Sequence, residues 1–304
     1  MQLDISGEVR AALASGGGVV GLESTVISHG LPYPDNLEVA HAMEASVRKA
    51  GAVPATIGLL EGKIVVGLSA AQIERFAQEK GIFKVSRRDF GPVLAQKASG
   101  ATTVAGTMIA CAAAGVRFFS TGGIGGVHRG ATQTFDVSAD LTELSQSPVG
   151  VICAGPKAVL DIGLTLEVLE TLGVPVIGFK SRALPAFYSR DSGFALEYSY
   201  ITAAELAAVA TEHWRVGMKS GILIANPPPK EAAMDRAAVE TMITEALRAA
   251  EVEQIRGKAV TPFLLSYLGR ASNGKTLAVN KALLLNNAVA AAEIAVAFAK
   301  QTAG

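Results

Sequence analysis

The chain has 304 residues, of which 50% are hydrophobic and 18% charged, enough apolar material for a large buried core. Lys+Arg and Asp+Glu both number 27, so no global field favours nucleic acid or an anionic membrane surface. Cys111 and Cys153 sit in apolar, alanine-rich surroundings and form no CxxC pair; they read as buried free thiols, not as a zinc knuckle or a disulfide framework. The start MQLDISGEVR lacks the basic and apolar segments of a signal peptide, and no stretch reads as a spanning helix. A cytoplasmic protein with no nucleic-acid and no membrane partner is expected.

Short β-type runs alternate with longer helical patterns. The first strand is predicted at 19–22, and Glu23 follows directly at its end. Pro34-Asp35-Asn36 opens a helix that runs to about Ala50, where Gly51 stops it. Strands at 55–60 and 63–66 flank Glu61-Gly62, which reads as a hairpin turn. Ser69 with Gln72 forms a capping-box pattern, as do Thr202 and Glu205. Further strands are predicted at 116–120, 149–154, 174–179 and 221–225, and an alanine-rich helix at about 277–299. Several of these strands are apolar without alternation, which suits burial on both faces. The pattern predicts an α/β fold with three α/β/α layers and a central mixed, largely parallel sheet. No repeat or low-complexity linker divides the chain, and NPPPKE (226–231) reads as a loop, so one domain over 1–304 is expected.

The densest chemistry lies in TGGIGGVHRGATQTFDVSAD (121–140) and VGVICAGPK (149–157). Glycines after a strand let backbone N–H groups approach a ligand, or simply make a turn. The spacing is not the dinucleotide GxGxxG; His128 and Arg129 would add polar contacts. Asp136 interrupts Phe135 and Val137; a hard divalent cation is often held by one or two carboxylates and waters. Ser138-Ala139-Asp140 reads as a helix start, so Asp140 either serves the helix dipole or the site. Lys157 follows a buried strand and Gly155-Pro156, with Pro156 suited to the first turn of a helix over KAVLDIGL. At the carboxyl edge of the sheet, a desolvated lysine amine forms Schiff bases; the plainer reading is a first-turn lysine that reaches water. Glu23, at the same edge, is a general acid or base, or an ion-paired carboxylate. Lys84, Ser86, Arg87 and Arg88 either bind phosphate or form a solvated basic turn.

GRASNGKT (269–276) fits the P-loop pattern letter for letter. The context is wrong, because Thr261-Pro262 opens a predicted helix through Leu268 where a P-loop needs a strand.

These residues resemble the pseudouridine-5'-phosphate glycosidase family, also called indigoidine synthase A-like. The resemblance rests on GLESTVISHGLPYPDN, PATIGLLEGKIVVGLS, KVSRRD, GATTVAGTM, STGGIGGVHRGA, TFDVSADL, CAGPKAVLDIGLTLE, LETLGVPVIGF, LPAFY, GILIANPPP and TPFLL, in collinear order over nearly the whole chain. It implies a manganese-dependent homotrimer, with an α/β/α fold, that splits pseudouridine 5'-phosphate into uracil and ribose 5-phosphate. It further implies Lys157 as the Schiff-base lysine, Glu23 as proton donor and Asp136 as ligand of Mn2+. Substrate contacts are implied for Lys84, Thr103, Val104, Ser138, Ala139 and Asp140, and base recognition for Asn280. Pro156 departs from the alanine more usual in the family; it leaves the lysine in place, and activity is expected to survive.

The chemistry suits the residues. Carbon is a poor leaving group, so the two-carboxylate route of ordinary glycosidases does not serve a C–C glycosidic bond. An imine on the ring-opened sugar supplies an electron sink. Alternatives are a lyase on another C-glycosidic or aldose phosphate, a nucleotide-binding kinase or NTPase using 269–276, and a non-catalytic metabolite-binding protein.

Overall fold

The computed structural model describes residues 2–255 and 260–302. Its centre is a mixed sheet, eleven-stranded among the described residues, with helices on both faces. Across the sheet run Leu3–Ile5, Lys63–Val66, Val53–Leu60, Val19–Glu23, Phe118–Ser120, Gly150–Cys153, Ile222–Ala225, Val176–Phe179 and Tyr198–Tyr200. Gly100–Thr102 pairs with Val53–Leu60 from the side and carries Phe83–Val85 with it. The strands from Val53–Leu60 to Tyr198–Tyr200 are mutually parallel. Antiparallel pairing enters at the predicted hairpin, where Leu60 faces Lys63 across Glu61-Gly62.

Successive side chains of each central strand enter different layers, as the two-residue strand period demands. Val20, Leu22, Phe118, Ile152, Ile222 and Ile224 pack under Asp35–Lys49, Ala203–Arg215, Arg236–Val252 and the C-terminal helix Lys275–Thr302. Val19, Phe119, Val151, Cys153 and Leu223 pack on the opposite face, under Val104–Ala114, Ala139–Leu144 and Ile162–Thr171. Burial on both faces explains why these strands read as unbroken apolar runs. Both cysteines lie in this second layer, free and buried, and burial raises the Cys153 thiol to about 12.

The helix Lys275–Thr302 is long and apolar enough by composition to cross a membrane, against the sequence expectation that no such stretch exists. Here it lies across the sheet, with Leu283, Leu284, Ala288, Ala291 and Ile294 in the core. Before it come Val260–Ala271 and a turn at 272–274, so the GRASNGKT stretch joins two helices and has no strand in front of it. The helix expected from Pro156 starts later, at Ile162, with Asp161 as its cap. The reason is local: the Lys157 N–H donates to the Ile124 carbonyl at 3.0 Å, and Leu160 pairs with His128. Backbone groups that would open a helix are drawn into contact with the glycine loop. Both predicted capping boxes, at Ser69/Gln72 and Thr202/Glu205, are formed.

Leu283 is fully buried, so Leu283→Ala should lower unfolding free energy by about 2–5 kcal/mol. Ser69→Ala should lower it by only about 0.5–2 kcal/mol through the lost cap. Urea denaturation of the two variants checks the order.

Candidate active site

The register of the central strands decides what meets at their carboxyl ends. Leu22 lies opposite Ser120, and Ser120 opposite Ile152. Glu23, Thr121 and Cys153 are the next residues, so three chain segments leave the sheet side by side. Glu23 accepts a hydrogen bond from the Thr121 hydroxyl. Burial pushes its carboxyl above the usual carboxylate range. Positive charge on Lys157, the Thr121 hydroxyl and Lys84 oppose that rise, and Asp140 adds to it. Burial wins, as it does for a carboxyl with little water around it. Lys157, Asp140 and Lys84 thus all stand within electrostatic reach of Glu23.

Lys157 is half-buried at the end of Gly150–Cys153. The chain reaches it through Gly155, whose φ of +81° lies in the left-handed region. A Cβ there would also stand 2.4 Å from the Pro185 carbonyl oxygen. The glycine loop is tied to this turn: the Ile124 N–H donates to Gly155 and the Ile124 carbonyl accepts from Lys157. Gly125 donates to Asp140 and Val127 to the Thr165 hydroxyl. These loop amides are therefore spent on the protein, and their role is to hold Lys157 and Asp140 in place.

Asp140 does more than serve a helix dipole. It is 6% exposed; one carboxylate oxygen accepts from Ala105 N–H at 2.9 Å and the other from Gly125 N–H at 2.8 Å. It clamps the start of Val104–Ala114 onto the glycine loop. A Cβ at Gly125 would stand 2.2 Å from Ser138 Oγ and 2.7 Å from the Asp140 carboxylate, so this packing requires glycine. Ser138 caps Ala139–Leu144, and Thr103 caps Val104–Ala114. The first amides of that helix are already engaged, Ala105 N–H by Asp140 and Gly106 N–H by the Thr103 hydroxyl, so the helix dipole is answered by the Asp140 carboxylate. Ala139 is exposed and Val104 buried.

Lys84 is exposed on Phe83–Val85, and its charge reaches both Glu23 and His29. The rest of the basic turn is otherwise engaged. Arg87 pairs with the buried Glu143, Arg88 lies 3.7 Å from Asp89, and the Ser86 N–H donates to Asp89. Of the four residues weighed for phosphate, Lys84 is the one whose charge acts on Glu23. Arg129 is likewise committed, forming a two-pronged pair with Glu240 at 2.9 and 3.0 Å. It anchors the excursion that carries His128 and Asp136.

In that excursion the His128 N–H donates to the Asp136 carbonyl, which brings the two side chains together. His128 Nδ1 and Asp136 Oδ2 are 3.8 Å apart, with Asp136 45% exposed. Among the described residues no three His, Cys, Asp or Glu side chains cluster. One hard oxygen and one imidazole fit a divalent cation that keeps most of its water; they do not fit a closed structural site.

The C-terminal helix supplies the remaining wall. Asn280 lies against the glycine loop, its Oδ1 3.4 Å from where a Cβ at Gly122 would sit. Seven residues on, on the same face, Asn287 is fully buried and donates to the Thr121 carbonyl at 2.8 Å. Its Oδ1 accepts from Asn226 at 2.9 Å. Sequence reasoning missed Thr121, Asn226 and Asn287. The available signal was an amide inside the apolar run ALLLNNAVA.

Comparison with known proteins places this α/β/α sheet, with its glycine-rich turn, strand-end acid and strand-end lysine, in a known family. The indigoidine synthase A-like family matches residues 8–297, and the chain belongs to that family. A pseudouridine-5'-phosphate glycosidase of Herpetosiphon aurantiacus is 53% identical over 97% of this chain and 98% of its own length. One from Caldanaerobacter subterraneus is 52% identical over 97% and 96%. The solved structure of the prealnumycin C-glycosynthase AlnA in complex with ribulose 5-phosphate superposes with a TM-score of 0.94, at 42% identity, covering 100% of this chain and 99% of that one. An indigoidine synthase A-like protein of Thermotoga maritima gives 0.88 at 34% identity, covering 97% and 96%.

Replacing Asp140 by Asn sets an amide NH2 against a buried N–H. Asp140→Asn should cost about 1–3 kcal/mol of stability, read as a lower urea midpoint with unchanged slope.

Proposed function

We propose that this chain reversibly cleaves the C–C glycosidic bond of pseudouridine 5'-phosphate, giving uracil and ribose 5-phosphate through an imine on Lys157. The observation that carries this reading is the pairing of Glu23, a carboxyl whose pKa is raised by burial, with Lys157 beyond the end of the next strand but one. The names of the 50–53% identical relatives support the substrate. The ribulose 5-phosphate held by the 42% identical neighbour supports a sugar-phosphate site.

The residues divide the work as follows. Glu23 gives its proton to the ribose ring oxygen as the C1'–O4' bond opens. The Lys157 amine bonds to C1'. The ring carbon of the base takes up a proton, the C1'–C5 bond breaks, and its electron pair stays with uracil. The lysine nitrogen supplies the pair that forms the C1' imine. Water then adds to the imine, releasing ribose 5-phosphate and the free amine. Lys84 holds the phosphate, with Thr103 and Val104 as further substrate contacts, fixing C1' against Lys157. Ser138, Ala139 and Asp140 shape the sugar pocket, and Asn280 faces the base. Asp136, with His128 beside it, would hold Mn2+, which supplies Lewis-acid polarisation when bound. A homotrimer in the cytoplasm completes the reading; light scattering that returns three chains per particle tests the assembly.

Purified protein with pseudouridine 5'-phosphate and Mn2+ should release uracil, and borohydride should trap a ribose-phosphate adduct on Lys157. Uracil release undiminished in Lys157→Ala would end the imine reading. Glu23→Gln should slow cleavage roughly 10²–10⁴-fold. Because only protonated Glu23 donates, and its pKa is raised, turnover should hold below that pKa and fall as pH rises through it. A chelator should remove activity and added Mn2+ restore it; activity indifferent to chelation would remove the metal from the scheme.

A further inference from the structure

We propose that Thr121 is the positioning residue for Glu23, held in place by a buried amide relay from Asn226 through Asn287 to the Thr121 main chain. This rests on the reading of Glu23 as proton donor.

Thr121 is fully buried, and both of its main-chain groups are committed. Its N–H donates to the Ile152 carbonyl at 3.0 Å, and its carbonyl accepts from Asn287 at 2.8 Å. Asn287 is held by Asn226, whose own N–H donates to the Cys153 carbonyl at 2.8 Å. The relay therefore joins the ends of four neighbouring strands to the C-terminal helix. Burying two amides beside Leu283, Leu284 and Ala288 costs free energy unless each is satisfied. A turn needing only structure would be served by an apolar residue at 121.

The hydroxyl has a property that an amide N–H or a lysine lacks. It donates to an ionised carboxylate and accepts from a protonated one. Thr121 can thus keep Glu23 in one orientation before and after its proton leaves. The other groups facing Glu23 are Lys157, Asp140 and Lys84, all of which act through charge. Loss of the Thr121 hydroxyl removes a contact that favours the ionised form, so the Glu23 titration should move to higher pH.

The test follows Glu23 directly. Isotope-labelled glutamate carboxyl carbons are titrated by NMR, with Glu23→Gln identifying the signal, in the wild-type chain, Thr121→Val and Thr121→Ser. The Glu23 midpoint should rise in Thr121→Val and return in Thr121→Ser. In parallel, kcat for uracil release should fall roughly tenfold or more in Thr121→Val, with KM little changed. The alkaline limb should move up with the NMR midpoint, and Thr121→Ser should restore both. A Thr121→Val protein with the wild-type midpoint overturns the proposal, whatever the substrate. A wild-type chain that releases no uracil overturns the functional reading instead, and the NMR titration still decides the role of Thr121. If Thr121→Val does not fold, Asn287→Leu carries the same test, with the midpoint expected to rise.

Discussion

The chemistry of this molecule depends on the in-register parallel pairing of Val19–Glu23, Phe118–Ser120 and Gly150–Cys153. Hydrogen-bond ladders on a sheet buried on both faces leave little freedom in where each strand ends. Glu23, Thr121 and the turn to Lys157 inherit that precision. A site built from strand ends needs no large rearrangement to bring acid and amine together. Loops still carry it, but each loop is pinned. The Asp140 carboxylate joins Ala105 to Gly125, Ile124 joins the glycine loop to Gly155 and Lys157, and Arg129 joins the His128–Asp136 excursion to Glu240.

Electrostatically the site is a balance that burial decides. Lys157 and Lys84 would draw Glu23 toward the ionised form, and desolvation outweighs them. A carboxyl held above its usual range beside an amine is the combination that acid-assisted attack by an amine would use. Cys111, by contrast, is simply buried, and feels no resolved influence but desolvation.

Much of this was legible in the sequence, and the remainder was hidden for identifiable reasons. Every predicted strand is present, because residues buried on both faces must be apolar without interruption. The hairpin at Glu61-Gly62 and the caps at Ser69 and Thr202 carry local signals and were read correctly. The strands Leu3–Ile5, Phe83–Val85, Gly100–Thr102 and Tyr198–Tyr200 were not seen, since three residues carry no usable period. The late helix start at Ile162 was missed because it is set by bonds to the glycine loop, far from Pro156 in sequence. Glu23 and Lys157 could be suspected from their positions after apolar runs. Arg87 and Arg129 could not be separated from ligand-binding residues until their partners, Glu143 and Glu240, were located. Asn287 is the clearest loss: a polar residue in an apolar helix marks a buried partner, and the partner lies 166 positions away.

The helix Lys275–Thr302 follows every strand of the sheet in chain order. During synthesis the sheet face bearing Val20, Phe118, Ile152 and Ile224 stays only partly covered, by the earlier helices, until that helix emerges. The same helix brings Asn280 and Asn287 to the strand ends. Assembly of the core and completion of the site are therefore one event. A chain stalled before this helix would leave the apolar strip under it exposed and lack the amide that holds Thr121, making it a candidate for chaperones.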